Sequence, residues 1–273
     1  MGLAEGSDKQ QKNGPCEQFG SRVPFLNTFF DNVMLDDALQ VIRQHVESRN
    51  TGFMASINTA IMVTLEKDDD FREVFKGASL VLMDSQPLIW VANHMGIQVK
   101  QKLSGSDIIY PVCEFAARQG YSCYFLGGVP GVADAAAKNL QSKYSGLKVA
   151  GTYSPDYGFE KDETQLEQLK SALKSVHPDI VFVCLGTPKS EKLISHELMD
   201  CDVPFFLSIG AAIDFAAGNM RRAPVWISEH GLEWFYRFLH EPKRLFRRYF
   251  IESWQLLGIY FRYKSNSEKI WEV

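Results

Sequence analysis

Asp84 stands where a carboxylate could take part in chemistry. It directly follows the apolar run SLVLM and precedes SQP, so we predict it at the carboxyl end of a buried strand and the start of a helix. Ser56 and Asn58 end a second apolar run and are expected to face the same cleft. A carboxylate, a hydroxyl and an amide that meet above two strands can place a general base within reach of an incoming hydroxyl group.

Each of these residues also has a structural interpretation, which the sequence leaves open. Asp84 could cap the N-terminus of the following helix, a common role of aspartate, and Ser56 and Asn58 could form a simple strand-to-helix turn. The run Asp68–Asp70 resembles an acidic DxD metal site, but it lies between a helical stretch and FREVF, so we predict that it caps the next helix. The six histidines have no spacing such as HExxH, and we predict no metal site.

The elements that must position these side chains alternate between short apolar runs and amphipathic stretches of helical length. This pattern predicts an α/β fold: a Rossmann-like open, mainly parallel sheet with helices on both faces, plus a C-terminal amphipathic helical appendage. The predicted strands are Phe53–Ile57, Ser79–Met83, Tyr121–Leu126, Lys148–Thr152, Ile180–Leu185 and Phe205–Ile209. The predicted helices are Leu35–Ser48, Gln86–Met95, Ser106–Gln119, Pro130–Lys143, Glu163–Val176, Lys189–Met199 and Ala211–Ala216.

Four predicted strands end in turn-forming or polar residues, which read SINTA, MDSQP, LGGVPG and CLGTPKSE. Ligands of open parallel sheets bind at this carboxyl edge. Gly127, Gly128 and Gly186 would let the backbone approach a ligand closely, and the helices that follow offer unpaired N–H groups to an anion. A phosphate-bearing ligand is the inference, and plain strand-to-helix turns are the equally supported alternative, since LGGVPG matches neither GxGxxG nor a Walker loop.

Composition limits the classes of function. The chain has 273 residues, 45% hydrophobic and 23% charged, which suffices for one substantial core or two small ones. The net charge of -4 conceals an asymmetry, because residues 219–273 hold ten Lys or Arg against six Asp or Glu. Five cysteines without CxxC spacing predict neither a disulfide framework nor a zinc site and favour a reducing cytosol. We find no apolar run of about 18 residues that would predict a membrane span.

Seven motifs, in this order and spacing, carry a family resemblance: SINTAIM, LVLMDSQPLIW, KLSGSD, YFLGGVPGV, LGTPKSEKLI, SIGAAIDFAAGNMRRAPVW and GLEWFYRFLHEPKRLFRRY. Over about residues 25–250 the chain resembles the WecG/TagA/CpsF family of bacterial glycosyltransferases. The resemblance implies transfer from a UDP-sugar, in the best-known members UDP-N-acetylmannosamine or its uronic acid, to an undecaprenyl-diphosphate-linked sugar in the synthesis of surface polysaccharide or cell-wall polymer. It also implies inversion at the anomeric carbon, no metal or other cofactor, action at the cytoplasmic membrane face, and self-association.

The resemblance assigns roles to individual residues. Asp84 matches the family's proposed general base, which would take the proton of the acceptor hydroxyl as that oxygen attacks the anomeric carbon. Ser56 stands where the family usually has threonine, and Asn58 matches the family's asparagine. Lys102 replaces an arginine, which keeps the charge but loses the planar fork that grips phosphate. The other predicted substrate contacts in the α/β region are Gly127, Gly128, Gly186, Pro188, Ser190 and Glu191.

Two departures from the family pattern leave the donor sugar open. Ser190 replaces the glutamine of the family's PKQE, and Ser85 replaces the glycine that normally follows the general base. Both are expected in the sugar pocket, so a plain hexose such as glucose competes with an N-acetylhexosamine as the donor.

The basic, aromatic tail has two predicted tasks. A helix over Arg244–Arg262 would place arginines on one arc and large apolar side chains on much of the rest, which suits a membrane surface; the alternative is a helix packed on the core. Arg237, Arg244 and Arg247 match arginines that the family is thought to bring to diphosphate in place of a metal. The predicted divisions are a disordered lead-in at residues 1–21, a catalytic domain at 22–230 and a membrane-associating, site-completing segment at 231–273.

Three other classes of protein compete with the enzyme hypothesis. A catalytically silent nucleotide-sugar-binding scaffold at the membrane is opposed by the retained Asp84, while Ser85 and Ser190 leave it open. An NAD-type oxidoreductase is disfavoured because the glycine fingerprint and its acidic ribose partner are missing. Nucleic-acid binding is disfavoured because the chain before the tail is acidic and carries no known nucleic-acid motif.

Overall fold

A parallel sheet of six strands forms the centre of the described chain. The computed structural model describes residues 21–220 and 252–265. The strands are β1 (Arg22–Phe25), β2 (Thr28–Asp31), β3 (Gly52–Ile57), β4 (Leu80–Met83), β5 (Ser122–Gly127), β6 (Lys148–Tyr153), β7 (Ile180–Cys184) and β8 (Phe205–Ser208). The six-stranded sheet has the order β4-β3-β8-β7-β5-β6, and each of its pairings is parallel. The predicted α/β fold class is confirmed.

Most of the helices that connect these strands lie where the apolar periodicity predicts them. Those described are α1 (Leu35–Ser48), α2 (Thr59–Leu65), α3 (Asp69–Lys76), α4 (Gln86–His94), α5 (Gly105–Gln119), α6 (Val132–Lys143), α7 (Glu163–Val176), α8 (Lys189–Leu193), α9 (Ala212–Ala217) and α10 (Glu252–Tyr263). All six predicted strands and the seven helices predicted between residues 35 and 216 are present, with ends displaced by a few residues. The predicted helix Lys189–Met199 differs in kind, since α8 continues as a π-helix over Ile194–Leu198.

Both faces of the sheet are buried. Successive side chains of each strand lie on opposite faces, and each face packs on its own set of helices. One face carries Ala55, Ile57 and Val81 in a cluster with residues of α2, α3 and α7. The opposite face carries Met54 and Phe182 in a cluster with residues of α1, α5 and α6. The strands therefore read as continuous apolar runs, which is why the sequence reveals them so clearly.

The hairpin of β1 and β2 has no counterpart in the sequence prediction. The two strands pair antiparallel, and Arg22 forms an ion pair with the fully buried carboxylate of Asp31 at 2.9 Å. The second carboxylate oxygen of Asp31 accepts a hydrogen bond of 2.7 Å from Val81 N on the edge strand β4. The hairpin thus covers a sheet edge. The hairpin is stabilised by this tertiary contact, which leaves no periodic pattern in the sequence.

The acidic run before α3 acts as the sequence analysis predicts, and its capping role is confirmed. Asp68 is the N-cap residue of α3, and its Oδ1 accepts a hydrogen bond of 2.9 Å from Phe71 N. Lys192 Nζ lies 2.8 Å from a carboxylate oxygen of Asp68 and 2.8 Å from one of Asp70. The run therefore stabilises α3 and ties it to α8.

The buried His45 makes stability depend on pH. Its Nδ1 lies 2.6 Å from Asn50 O, and its Nε2 has no hydrogen-bond partner among the described residues. Burial lowers the pKa of His45 below 6.5, although the contact with the Asn50 carbonyl opposes this shift. A lowered folded-state pKa means that the neutral ring contributes stability above pH 6.5, and that this contribution is lost as the pH falls from 6.5 through the folded-state pKa.

Below pH 6.5, we expect protonation of His45 to lower the free energy of unfolding by at most about 1.4 kcal/mol for each pH unit. The variant His45→Gln, which cannot gain a proton, should show a shallower decline between pH 7 and pH 5 in urea titrations. His177→Asn is the control, because His177 is exposed and has φ 43°, a conformation that asparagine tolerates. Equal slopes for wild type and His45→Gln would contradict the assignment.

Candidate active site

A cleft of about 430 Å³ opens at the carboxyl ends of β3, β4, β7 and β8. This is the sheet edge at which open α/β proteins bind ligands. Its described walls combine backbone from the strand-to-helix turns with hydroxyl, amide and carboxylate groups. The polar side chains on these walls are Ser56, Asn58, Thr64, Asp84, Ser104, Ser106, Thr187, Ser208 and Asp214.

The three predicted catalytic residues meet in this cleft. β3 and β4 are neighbours in register, with Ile57 opposite Met83, and Asp84 N donates a hydrogen bond of 3.0 Å to Ile57 O. Asn58 and Asp84 are therefore each the first residue beyond a strand, side by side at the sheet edge. Ser56 lines the same cleft one residue before the end of β3.

Helix capping accounts for part of the role of Asn58. Asn58 is the N-cap residue of α2, and its Oδ1 accepts a hydrogen bond of 3.1 Å from Ile61 N. Its amide nitrogen is then the atom that can donate to a ligand. Ser85, and not Asp84, is the N-cap residue of α4. Asp84 is therefore not the N-cap residue of α4, and its role as a general base remains a prediction.

The N-terminus of α5 forms another wall. Its N-cap residue Ser104 and the third helical residue Asp107 form a capping box, and Ser104 Oγ lies 2.6 Å from Asp107 Oδ2. A Cβ atom at Gly105 would lie 2.7 Å from Ile209 O, so only glycine allows α5 to begin this close to the end of β8. Leu103 N donates to Met83 O at 2.9 Å, which places the segment carrying Lys102 alongside the end of β4. Lys102 itself does not lie on the described walls.

The predicted glycines divide into two kinds. Gly186 lines the cleft with φ 84°, and a Cβ atom there would meet no atom within 4 Å. Gly127 has φ 115°, and its Cβ would lie 2.6 Å from Cys184 O, so its small size serves the packing of β5 against β7. Gly127 and Gly128 are not on the described walls. Of the three, the structure brings only Gly186 to the residues around Asp84.

The remaining predicted contacts lie behind the cleft. Ser190 is fully buried; its Oγ accepts from Leu185 N at 3.2 Å and lies 3.4 Å from Val183 O, so it closes the turn after β7. Pro188 follows a cis peptide bond and precedes α8. Glu191 is also buried, with 1% of its surface exposed. None of the three lies on the described walls, and their predicted contact with substrate stays a prediction.

Comparison with known proteins decides the family. The model of the Glycosyl transferase WecG/TagA/CpsF family matches residues 23–270. The chain belongs to this family. It is a glycosyltransferase, as its motifs predicted, and the match includes the strand ends that form the cleft.

The relatives of this glycosyltransferase share a name. A Bacillus subtilis (strain 168) protein named N-acetylglucosaminyldiphosphoundecaprenol N-acetyl-beta-D-mannosaminyltransferase is 24% identical over 234 residues, which covers 86% of the chain and 88% of the relative. Proteins with the same name from Staphylococcus aureus (strain MW2) and Bacillus spizizenii are each 23% identical; these matches cover 83% and 79% of the chain and 88% and 82% of the relatives. The names describe acceptors that carry an undecaprenyl diphosphate.

Several cleft residues of this glycosyltransferase escaped the sequence prediction. Thr187, Ser208 and Asp214 line the walls, the last from the first turn of α9. Ser208 ends β8 within the motif SIGAAID, so the strand-end rule used for the other strands would have found it. Cys184 also lines the cleft, but burial raises the pKa of its thiol far above the usual range and the charge of Asp214 raises it further. It therefore supplies no thiolate nucleophile.

The tail of the glycosyltransferase is described only over residues 252–265. Arg237, Arg244 and Arg247 lie outside the described residues, as does the start of the helix predicted over Arg244–Arg262. Residues 1–20, most of the predicted lead-in, lie outside them as well. Among residues 21–220 and 252–265, no helix is long and apolar enough to cross a membrane.

The helix α10 packs on α2 and keeps one face exposed. Leu256 and Ile259 are buried in the core cluster beside α2, and Lys67 Nζ donates to the side chain of Gln255 at 3.0 Å. Arg262 pairs with Glu66 at the other end of the contact. Trp254, Leu257 and Phe261 remain 74%, 48% and 66% exposed on one face of the helix. The alternative of a helix packed on the core is thus confirmed for the inner face.

Proposed function

We propose that this glycosyltransferase moves a sugar from a UDP-sugar to a polyprenyl-diphosphate-linked sugar by one inverting displacement, without a metal ion. The observation that carries the proposal is the position of Asp84, which lines the cleft beside Ser56 and Asn58 at the ends of neighbouring strands. A hydroxyl nucleophile needs a general base for its proton. The names of the relatives support a lipid-linked acceptor.

In the proposed reaction, the acceptor's hydroxyl oxygen attacks the anomeric carbon of the donor while Asp84 takes the hydroxyl proton. The new C–O bond forms as the bond from the anomeric carbon to the UDP oxygen breaks, and the electron pair of that bond leaves with UDP. A single displacement inverts the configuration at the anomeric carbon. Asn58 Nδ2 and Ser56 Oγ would orient the hydroxyl group beside the carboxylate.

The leaving diphosphate needs stabilisation that the proposal assigns to two sources. The first is the N-terminus of α5, whose first residues line the cleft and whose N–H groups and dipole favour an anion. The second is the predicted set of Arg237, Arg244 and Arg247, whose guanidinium groups would reach the cleft from the tail. Charge developing on UDP would then be met by protein groups in place of a metal ion.

A lipid-borne acceptor also requires contact with a membrane. The exposed stripe of α10, which consists of Trp254, Leu257 and Phe261, offers two large rings and a leucine on the face opposite to the contact with α2. Aromatic and aliphatic side chains on one face of a helix suit the boundary between water and lipid. We propose that this stripe enters the cytoplasmic face of the membrane. Self-association of the enzyme stays a prediction.

A panel of UDP-sugars tests the proposal. With a detergent-solubilised N-acetylglucosaminyl-diphosphate lipid as acceptor, we expect the purified protein to release UDP from UDP-N-acetylmannosamine. The names of the relatives describe transfer of an N-acetylmannosaminyl group. UDP-glucose is the second donor to test, because Ser85 and Ser190 depart from the family pattern. The measurement is UDP release coupled to mass spectrometry of the lipid product.

Two outcomes of the panel separate the enzyme from its rival. A new glycosyl lipid formed with any UDP-sugar supports the transferase. If UDP-sugars bind but none is consumed with any lipid acceptor, the protein is a silent nucleotide-sugar-binding scaffold and the proposed reaction is wrong.

A further inference from the structure

Glu191 lies behind the cleft and connects two of its walls. Its side chain is buried, and its Oε1 accepts hydrogen bonds from Thr187 Oγ1 at 3.0 Å and from Ser208 Oγ at 2.9 Å. Thr187 lies in the turn after β7 and Ser208 ends β8, and both line the cleft. One carboxyl oxygen therefore holds the walls contributed by two neighbouring strands.

The surroundings of Glu191 favour an uncharged carboxyl group. No ion pair of Glu191 is present among the described residues, and its Oε2 has no hydrogen-bond partner there. Burial raises the pKa of Glu191, and the contact with its own backbone N–H and the hydrogen bonds from Ser208 and Thr187 oppose that shift without cancelling it. A buried carboxylate without a cation costs several kcal/mol. The protonated form avoids the cost of the charge, and with its proton on Oε2 it leaves Oε1 as the oxygen that accepts from Thr187 and Ser208.

The two hydrogen bonds also decide what the walls can recognise. A serine or threonine hydroxyl has one proton to donate and two lone pairs that accept. Because Thr187 and Ser208 each donate their proton to Glu191, only lone pairs remain for a ligand. They can accept from hydroxyl or amide N–H groups of a sugar or nucleoside. They offer nothing to phosphate oxygens, which are themselves acceptors.

We infer that Glu191 is a positioning residue which, as a neutral carboxylic acid, holds Thr187 and Ser208 as hydrogen-bond acceptors for the hydroxyl or N–H groups of the donor substrate. The inference rests on the proposed function for the identity of that substrate. The resemblance predicts that Glu191 contacts substrate directly. In this inference, Glu191 instead acts through Thr187 and Ser208. The diphosphate belongs at another part of the cleft.

Matched substitutions at Glu191 test the inference. Glu191→Gln keeps an acceptor and a donor in the same volume, so we expect the KM for the UDP-sugar to stay within about threefold of wild type. Glu191→Met keeps the volume but removes the acceptor and frees both hydroxyl protons. We expect it to raise that KM by about tenfold or more, with kcat less affected. Glu167→Gln and Glu167→Met, at a side chain 71% exposed on α7, are the controls.

Substitutions that remove the two hydroxyl groups, combined with Glu191→Met, complete double-mutant cycles. Thr187→Val and Ser208→Ala should each raise the KM by about fivefold in the wild-type background and add little to Glu191→Met, because the three groups act as one unit. Fully additive effects would overturn the inference. So would an equally large loss in Glu191→Gln and Glu191→Met, since a charge would then be required.

A spectroscopic measurement separates failure of this inference from failure of the proposed function. The infrared difference spectrum of wild type minus Glu191→Gln near neutral pH should contain the C=O band of a protonated carboxyl group. A carboxylate band in its place overturns the inference even if the enzyme is active. If no UDP-sugar is consumed, the proposed function fails, and the band still decides the state of Glu191.

Discussion

Asp84→Asn should lose roughly 10²- to 10⁴-fold in kcat while the protein stays folded, which is the range expected when a general base is removed. The amide has the shape of the carboxylate but cannot take a proton from the acceptor hydroxyl. Asp84 lies in the cleft beyond the end of β4, outside the two hydrophobic clusters, so the exchange should leave the fold intact. UDP release with the lipid acceptor measures the rate, and thermal unfolding verifies the fold.

The size and the type of the loss distinguish chemistry from binding. The KM for the UDP-sugar should change little in Asp84→Asn, because the proton is transferred only in the transition state. Asp200→Asn is the matched control, since Asp200 is exposed in the segment before β8 and away from the cleft. A variant that keeps more than about a tenth of the wild-type kcat would show that Asp84 is not the general base.

Replacing Trp254, Leu257 and Phe261 together by serine should nearly abolish binding to vesicles. Burial of one such side chain is worth about 1.5–3 kcal/mol, so three partly inserted side chains account for a loss on the order of 100-fold in partitioning. These side chains are exposed, whereas Leu256 and Ile259 hold α10 on the core, so the variant should fold normally. Sedimentation with anionic vesicles measures the bound fraction.

The membrane prediction has its own controls. Val129→Ser combined with Val176→Ser removes exposed apolar side chains from loop and helix positions elsewhere, and should leave vesicle binding unchanged. The triple variant should lose activity on the lipid acceptor but keep it on a short-chain, water-soluble acceptor analogue. Unchanged sedimentation of the triple variant would refute the role of the α10 stripe, and equal loss on both acceptors would point to damage at the cleft.

The strands and most helices could be predicted because their signals are local. A parallel strand covered on both faces must be apolar along its whole length, and β7 meets this requirement over Ile180–Cys184. Helix ends follow from local capping groups, as Asp162 shows when its Oδ1 accepts from Thr164 N at 2.9 Å before α7. The hairpin of β1 and β2 has no such local signal, because its Asp31 is buried by an ion pair and a contact with β4.

The sequence could predict those residues of the candidate site that directly follow the end of a single strand. Asp84 and Asn58 could be found because each follows an apolar run directly. Ser190 and Glu191 could not be placed in this way: the turn after β7 directs both side chains inward, one to the turn's backbone and the other to Thr187 and Ser208. A residue at either of these positions could contact substrate or lie behind the wall, and the sequence alone does not distinguish the two.

The sequence by itself determined the alternation of strands and helices, the family and the identity of the carboxylate at the end of β4, since each depends on residue type and local spacing. Only the tertiary structure decided which strand ends meet. The insertion of β8 between β3 and β7 brings Ser208 beside Glu191 and places Asp214 in the cleft with Asp84. Strand order is set by the packing of the whole sheet, and no local pattern encodes it.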